Sequence, residues 1–177
     1  MFQSRHLAAI MFADIVGYTA IMQKNEKEAL KLLNRFKELI EKYTPIHEGT
    51  IVQYFGDGCV LTFDSSTECV NCAMDIQRGC NAEFKVPVRI GMHQGEVIFH
   101  NNNLFGDGVN IASRIESLGV PGGILMSKSI RDQIKNKGEC RLASLGGFAF
   151  KNVEEPMEVF ALANEGLRVP KRADLKG

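Results

Sequence analysis

The order of secondary-structure elements in the first half of the chain restricts the fold more than any other feature of the sequence. Apolar spacing and turn residues predict a strand, a helix, two strands, a helix and a strand, over residues 7–13, 25–44, 50–55, 59–63, 66–80 and 86–92. The two middle strands are joined at Gly56-Asp57-Gly58, and Asp-Gly between β-rich runs is a strong hairpin signal. This βαββαβ order predicts an α+β chain with a ferredoxin-like core.

The second half of the chain adds strands and helices to this core. The predicted additions are a strand after a turn at Gly95, a helix, a short strand, a short helix and two final strands, over residues 96–100, 109–118, 124–126, 127–134 and 140–163. The stretch 165–177 is polar and has no periodicity. In a chain of 177 residues we therefore expect one domain over 1–164, followed by a surface tail or linker.

Composition argues against several classes of function. With 21 Lys plus Arg and 21 Asp plus Glu, the formal charge is zero, so no strong field attracts nucleic acid or anionic lipid. The first apolar run is too short to span a bilayer and is interrupted by Asp14, so we expect neither membrane insertion nor a signal peptide. Cys69-x-x-Cys72 alone could indicate a metal or redox pair, but no second pair accompanies it. Buried thiols in a reducing cytoplasm are the better interpretation.

One acidic residue closes the first strand and another lies in the hairpin turn. Asp14 follows the apolar run that ends at Ala13, and Asp57 lies between Gly56 and Gly58. The first strand and the hairpin can be neighbours in this topology, so the two carboxylates would repel each other unless a cation lay between them. Mg²⁺ prefers one or two carboxylates plus substrate phosphates, so the pair predicts a divalent-metal site. As an alternative, Asp14 only caps a helix and Asp57 only shapes a turn.

The residues after Asp14 are suited to bind phosphate. Gly17 permits close approach of the backbone, and a helix that starts here would direct free amides at an anion. The amides that can point at phosphate oxygens are those of Ile15, Val16, Gly17, Tyr18 and Thr19. The turn therefore predicts a phosphate site beside the metal.

The helix predicted over 109–118 carries a second polar pair. Asn110 and Arg114 are four residues apart, so both project from one helix face. Asp107 lies in a second Gly-Asp-Gly stretch just before this helix. An acid at that position serves as an N-terminal cap, which we favour over a role as a metal ligand.

Five segments of the sequence, in this order, resemble the catalytic domain of class III nucleotidyl cyclases, the adenylate and guanylate cyclases. They are FADIVGYT, YFGDG, RIGMHQGEV, GDGVNIASR and GGILMS, and the resemblance covers roughly residues 7–163. It implies a palm-type core and a homodimer with two active sites at the interface. It also implies cyclisation of a nucleoside triphosphate to the 3′,5′-cyclic monophosphate with release of pyrophosphate, assisted by two Mg²⁺ or Mn²⁺ ions per site.

The resemblance also implies roles for individual residues. The implied metal-site residues are Asp14, Ile15 and Asp57. From the other subunit, Asn110 would orient the ribose and Arg114 would hold the α-phosphate as charge builds up. Lys151, in FAFKNVEEP, fits the family's phosphate-binding lysine more loosely, and as an alternative it is a solvated strand residue. The family does not use the position of Asp107 as a ligand.

The sequence departs from the family where the purine base is read. Adenylate-forming members have a lysine four residues before the second metal aspartate and an acid seven residues before the helix asparagine. Here these positions hold Gln53 and Asn103, and the glutamate and cysteine of guanylate-forming members are also absent. An amide donates or accepts according to its orientation. We expect ATP as the preferred substrate, with GTP or a pyrimidine nucleotide as alternatives, unless both amides are only polar surface residues.

A different class of function is a catalytically silent domain that dimerises and binds nucleotide to regulate a partner. The four polar residues Asp14, Asp57, Asn110 and Arg114 argue against it, whereas Gln53 and Asn103 argue mildly for it. A diguanylate cyclase is disfavoured because the hairpin reads FGDGC rather than GGDEF. No sensor segment is recognisable, so an upstream or downstream regulatory domain outside this sequence is possible.

Overall fold

The computed structural model describes residues 3–82 and 84–175, which form a mixed sheet with helices packed on both faces. The strands are β1 (Gln3–Ile15), β2 (Thr50–Phe55), β3 (Gly58–Phe63), β4 (Val88–His100), β5 (Asn103–Phe105), β6 (Ile124–Ser127), β7 (Leu142–Phe148) and β8 (Met157–Leu162). The helices are α1 (Tyr18–Lys24), α2 (Glu26–Ile46), α3 (Ser66–Cys80), α4 (Asp107–Leu118) and α5 (Lys128–Ile134), and a 3₁₀ turn spans Arg172–Asp174.

The strand order is β2-β3-β1-β4-β6-β8-β7, with β5 paired to β4. Strands β2, β3, β1 and β4 with the two intervening helical segments form the ferredoxin-like core, so the predicted fold class is confirmed. Strand β1 is central because it pairs antiparallel with both β3 and β4. The predicted C-terminal additions extend the sheet beyond β4, where β6 pairs with β4 in parallel.

The two faces of the sheet are covered by different helices. Successive strand residues point to opposite faces, so Met11 packs with α2 and α3, whereas Ile10 packs with Ala112 of α4. Both Met11 and Ile10 are fully buried, and burial of side chains of this size contributes about 1.5–3 kcal/mol each. Helix α4 is therefore anchored on the face opposite to the main helical layer.

The prediction of a turn at Gly95 was wrong. Strand β4 continues through this residue for 13 residues, because β1 is equally long and pairs with it from Gln3–His100 to Ile15–Val88. Gly95 instead permits the close approach of α4. A Cβ at this position would lie 3.2 Å from the Cα of Gly108. The returning strand of the hairpin is the three-residue β5, which the sequence did not indicate.

Two helix boundaries also differ from the prediction. Helix α2 starts as predicted, where the Asn25 side chain accepts from the Glu28 amide at 3.1 Å, but it ends at Ile46 with Pro45 in its last turn. Pro45 lacks an N–H and so removes one intrahelical hydrogen bond, and the helix ends one residue later. Helix α4 begins at Asp107 with Gly106 as N-cap, so Asp107 is the first helical residue and not the cap. There its carboxylate faces the positive end of the helix dipole.

Other features follow the sequence closely. The hairpin strands and α3 lie at or within one residue of their predicted bounds. The Cys69 and Cys72 side chains are buried and form no disulfide, as expected of thiols acting as small hydrophobic groups. Burial raises the pKa of the Cys72 thiol to about 12, which makes it unreactive. Within residues 3–82 and 84–175, no helix has the length and apolar character needed to cross a membrane.

Candidate active site

The two carboxylates predicted for the metal site lie at the same end of the sheet. Asp14 is the penultimate residue of β1 and lies opposite Gly58 of β3. The Ile15 N–H donates to the Asp57 carbonyl at 3.0 Å, which ties the hairpin turn to the end of β1. A Cβ on Gly58 would lie 2.9 Å from the Asp14 Cβ and 2.8 Å from the Ala13 carbonyl, so only glycine allows this approach.

The electrostatics of this corner fit a bound cation. Burial raises the pKa of the Asp57 carboxyl, and the nearby Asp14 carboxylate adds to the rise, although a backbone hydrogen bond and Arg89 oppose it. A divalent ion between the two carboxylates would relieve this repulsion. No cluster of three or more His, Cys, Asp or Glu side chains suited to a metal exists in the part of the chain that the structure describes. Two carboxylates nevertheless fit Mg²⁺, which takes its remaining ligands from water and substrate phosphates.

Arg89 and Glu116 complete this corner, and the sequence reasoning missed both. Arg89 donates two hydrogen bonds to Asp14, from Nε to Oδ1 at 2.9 Å and from Nη2 to Oδ2 at 3.2 Å. Its Nε also lies 3.1 Å from Oε2 of Glu116, which is 5% exposed. Burial raises the pKa of Glu116 well above its usual value, and the Asp14 carboxylate adds to the shift.

A signal for each of these two residues was present in the sequence. Glu116 is four residues after Ala112 on the buried side of α4, where a charged residue requires a partner. Arg89 lies directly opposite Asp14 in the β1–β4 pairing, an opposite-charge cross-strand pair. That register could not be read while β4 was predicted to turn at Gly95.

The turn after Asp14 has the predicted form, but two of its five amides are already engaged. Gly17 adopts the left-handed conformation, with φ of 74°, and is the N-cap of α1. The Ile15 amide donates to Asp57, and the Val16 amide donates to the Pro87 carbonyl at 2.7 Å. The amides that remain for a phosphate are those of Gly17, Tyr18 and Thr19 at the start of α1. The Ile15 side chain is buried and apolar, so only its carbonyl could reach a metal.

The remaining predicted catalytic and phosphate-binding residues lie together at another place on the surface, and they are Asn110, Arg114 and Lys151. They line one groove of about 620 Å³ between α4 and the β7–β8 connection. Arg114 Nη1 donates to the Lys151 carbonyl. The lining of this groove includes neither Asp14 nor Asp57. We call Asp14, Ile15, Asp57 and the turn through Thr19 the metal half, and the residues Asn110, Arg114 and Lys151 the helix half.

Gln53 and Asn103 are exposed residues of β2 and β5. These two short strands approach each other although they do not pair. Their neighbours Val52 and Leu104 belong to one apolar cluster with Val109 of α4. The structure therefore brings close together the two strands that carry these amide residues.

Comparisons with known proteins identify the family of this chain. The family model of the adenylate and guanylate cyclase catalytic domain matches residues 2–164. A Rhizobium meliloti (strain 1021) protein named "Putative adenylate cyclase 3" is 35% identical over 164 residues, covering 88% of this chain and 28% of that protein. Retinal guanylyl cyclase 2 of Bos taurus is 31% identical over 156 residues, covering 75% of this chain and 14% of that protein. The chain thus spans less than a third of the length of either relative.

Solved structures extend the similarity to three dimensions. The adenylate/guanylate cyclase/hydrolase of Silicibacter pomeroyi aligns with a TM-score of 0.85 and 29% identity, over 93% of this chain and 100% of that one. The adenylyl cyclase CyaB of P. aeruginosa has the same fold, with a TM-score of 0.82 and 23% identity over 95% and 100% of the two chains. Since the family match spans nearly the whole sequence, this chain belongs to the class III nucleotidyl cyclases, the family of adenylate and guanylate cyclase catalytic domains.

Proposed function

We propose that this chain forms a homodimer that converts ATP to 3′,5′-cyclic AMP and pyrophosphate at two active sites, each shared between subunits. The observation that supports it most is the separation of the metal half and the helix half on one chain. The metal half provides two adjacent carboxylates for cations, and the helix half provides cationic and amide groups for the nucleotide. A two-fold axis would bring the metal half of each subunit to the helix half of its partner, which makes two complete sites.

The residues of the metal half would hold the triphosphate through cations. Asp14, Asp57 and the Ile15 carbonyl would bind two Mg²⁺ or Mn²⁺ ions, which when bound lower the pKa of the ribose 3′-hydroxyl and neutralise phosphate charge. The free amides from Gly17 to Thr19 would donate to β- and γ-phosphate oxygens at the start of α1. Each Asp14 oxygen accepts only one hydrogen bond from Arg89, so each keeps a second lone pair with which the carboxylate could bind a cation.

The residues of the helix half would act on the reacting atoms. The 3′-oxygen attacks the α-phosphorus and loses its proton to water, while the bond from that phosphorus to the bridging oxygen breaks and pyrophosphate leaves. Asn110 would orient the ribose so that the 3′-oxygen lies in line with the leaving group. Arg114 would stabilise the charge that develops on the α-phosphate, and Lys151 would neutralise the terminal phosphates.

The exposed surface around α4 supports a partner subunit on this face. Phe55 of β2 is 39% exposed and Phe105 of β5 is 50% exposed. The ring of Phe55 already packs against Phe12, with centroids 5.9 Å apart, at the end of β1 that carries Asp14. Exposed aromatic groups near a polar site are typical of an interface. We infer that these rings are covered in the dimer.

The proposal of ATP as substrate depends on Gln53 and Asn103. The Asn103 carbonyl can accept from the adenine 6-amino group, and the Gln53 amide can donate to N1. Guanine reverses both roles, and two amide flips could meet it. Because neutral hydrogen bonds are weaker than charge-assisted ones by about a factor of two, we expect modest discrimination against GTP.

The experiment that tests this function is a product assay. The protein is incubated with ATP, GTP, CTP or UTP and with Mg²⁺ or Mn²⁺, and cyclic nucleotide and pyrophosphate are measured together. We expect equal amounts of cyclic AMP and pyrophosphate from ATP, and nearly complete loss of both in Asp14→Ala and Asp57→Ala with unchanged far-UV circular dichroism. Near-parental turnover in either variant would refute the metal half.

A silent regulatory domain is the second candidate, and the neutral pair Gln53 and Asn103 in place of charged groups favours it. It predicts nucleotide binding and dimerisation without pyrophosphate from any of the four nucleotides. The relatives are several times longer than this chain, so a regulatory domain outside the sequence is part of either proposal.

A further inference from the structure

The chain does not leave the domain after the last residue matched by the family model. Residues 165–175, which we call the C-terminal strap, return across its surface and hydrogen-bond to it. Arg78 of α3 donates from Nε and Nη2 to the Glu165 carbonyl at 3.2 and 3.0 Å. The Arg168 amide then donates to the Gly122 carbonyl at 2.9 Å. Asn81 also donates from Nδ2 to the Gly166 carbonyl at 3.0 Å, so the strap is tied to the main body at three places before it reaches β7.

At the end of the strap, the guanidinium group of Arg172 is bound by several groups of β7. Arg172 donates from Nη1 to the Leu145 carbonyl and from Nη2 to the Gly147 carbonyl, both at 2.7 Å. Its guanidinium also lies 4.0 Å from the centroid of the Phe148 ring. Gly146, between the two acceptors, has φ of 88°, and a Cβ there would lie 2.8 Å from Arg172 Nη1. Two fixed carbonyls, an aromatic face and an obligatory glycine all fit the planar fork of arginine.

The acceptors of Arg172 lie in a bulge that leads directly to the helix half. The β7–β8 pairing shifts register between Ser144 and Gly147, which leaves Leu145 and Gly146 without partners in β8. Four residues after Gly147 comes Lys151, whose carbonyl accepts from Arg114. The strap and the helix half also share a wall, because Arg114 and Arg172 line one cavity of about 540 Å³.

We propose that Arg172 is a positioning residue for the helix half. By pinning the β7 bulge, it fixes the segment that carries Lys151, and through the Lys151 carbonyl it fixes Arg114. It contacts neither the nucleotide nor the reacting atoms. This inference rests on the proposed function, since it needs Arg114 and Lys151 to act on substrate.

The first test is kinetic. Arg172→Ala should lower kcat/KM for the preferred nucleotide about tenfold, because sub-ångström displacement of positioned groups costs rate at a distance. Arg172→Lys keeps the charge but lacks the planar fork that donates from two separate nitrogens, so its activity should be intermediate. Lys171→Ala is the matched control, since it removes a positive charge from an exposed neighbour and should change nothing. Parental kcat/KM in Arg172→Ala would overturn the proposal.

The second test separates positioning from general destabilisation. Mixed with Asp57→Ala, Arg172→Ala should form heterodimers in which one of two sites carries neither lesion. Mixed with Arg114→Ala, it leaves no intact site, because both lesions affect the helix half. For random exchange and a tenfold loss in Arg172→Ala, the first mixture should have about five times the activity of the second.

The outcomes of the second test are distinguishable. Equal activities of the two mixtures would overturn the role of Arg172, because a generally destabilised subunit has no preferred partner. The Asp57→Ala and Arg114→Ala mixture is run in parallel as the check on the shared site. If that mixture regains activity while the Arg172 mixtures do not differ, only the present inference is wrong. If it stays inactive despite subunit exchange, the proposed function itself fails.

Discussion

Gly91→Ala should reveal how tightly α4 is held against the sheet. A Cβ at Gly91 would lie 2.3 Å from the amide nitrogen and 2.4 Å from the Cα of Glu116. Both are backbone atoms, so no side-chain rotation relieves the clash, and the helix has to move by about 1 Å to reach ordinary contact distances. Overpacking of this kind costs about 1–3 kcal/mol of the free energy of unfolding. For a domain of this size the melting temperature should fall by about 2–12 °C.

The same displacement should affect catalysis more than stability. Helix α4 carries Asn110 and Arg114 on its exposed side and Glu116 on its buried side, beside Arg89. One shift therefore misplaces the helix half and also disturbs Arg89, which holds Asp14 of the metal half. Misplacement by about 1 Å can cost about a hundredfold in rate, so we expect kcat to fall between tenfold and about a hundredfold.

Urea unfolding followed by far-UV circular dichroism measures the stability effect, and the product assay measures the rate. Gly138→Ala is the control, because no heavy atom lies within 4 Å of the added Cβ. It should unfold at or slightly above the parental midpoint with parental activity. If Gly91→Ala unfolds at the parental midpoint and turns over normally, the close packing of α4 on β4 is not what holds these residues.

Two further predictions concern the base and the pH dependence of stability. Gln53→Lys combined with Asn103→Asp should sharpen the preference for ATP, because fixed charges cannot exchange donor and acceptor roles as amides do. The measurement is kcat/KM for ATP, GTP, CTP and UTP. If the relative kcat/KM values of the four nucleotides do not change, these residues do not read the base. Burial lowers the pKa of His47, but hydrogen bonds to Glu68 at 2.8 Å and Asp75 at 2.7 Å outweigh it, so the pKa is raised above 6.5. The ion pairs of protonated His47 with these two carboxylates should stabilise the fold fully below the pKa of His47 in the unfolded chain, about 6.5. This contribution should be lost as the pH rises through the higher pKa of His47 in the folded protein. Urea midpoints at pH 5.5 and 8.5 should therefore differ more for the parent than for His47→Asn, and equal differences would contradict these ion pairs.

The parts of the fold that the sequence predicted best depend on local signals. The hairpin at Asp57, the cap at Asn25 and the apolar face of α3 each follow from residues close in sequence. Gly95 shows why the rest was harder to read. A glycine that admits a neighbouring helix looks the same in sequence as a glycine that makes a turn.

The difference between local signals and long-range contacts also explains which site residues could be predicted. Asp14 and Asp57 could be paired from topology alone, because β1 and the hairpin are adjacent in a ferredoxin-like core. Arg89 could not, since its partner depends on the β1–β4 register. Arg172 leaves no pattern at all, because its acceptors are main-chain carbonyls, which every residue has.

The central claim is that each active site is shared between two subunits, and activity recovered by mixing tests it most directly. Asp57→Ala and Arg114→Ala are each purified, shown to be nearly inactive alone, and mixed in equal amounts under conditions where subunit exchange is verified. Random exchange gives heterodimers with one doubly damaged and one undamaged site, so the mixture should regain about one quarter of parental activity. A mixture that demonstrably exchanges subunits and yet remains inactive would contradict the shared site.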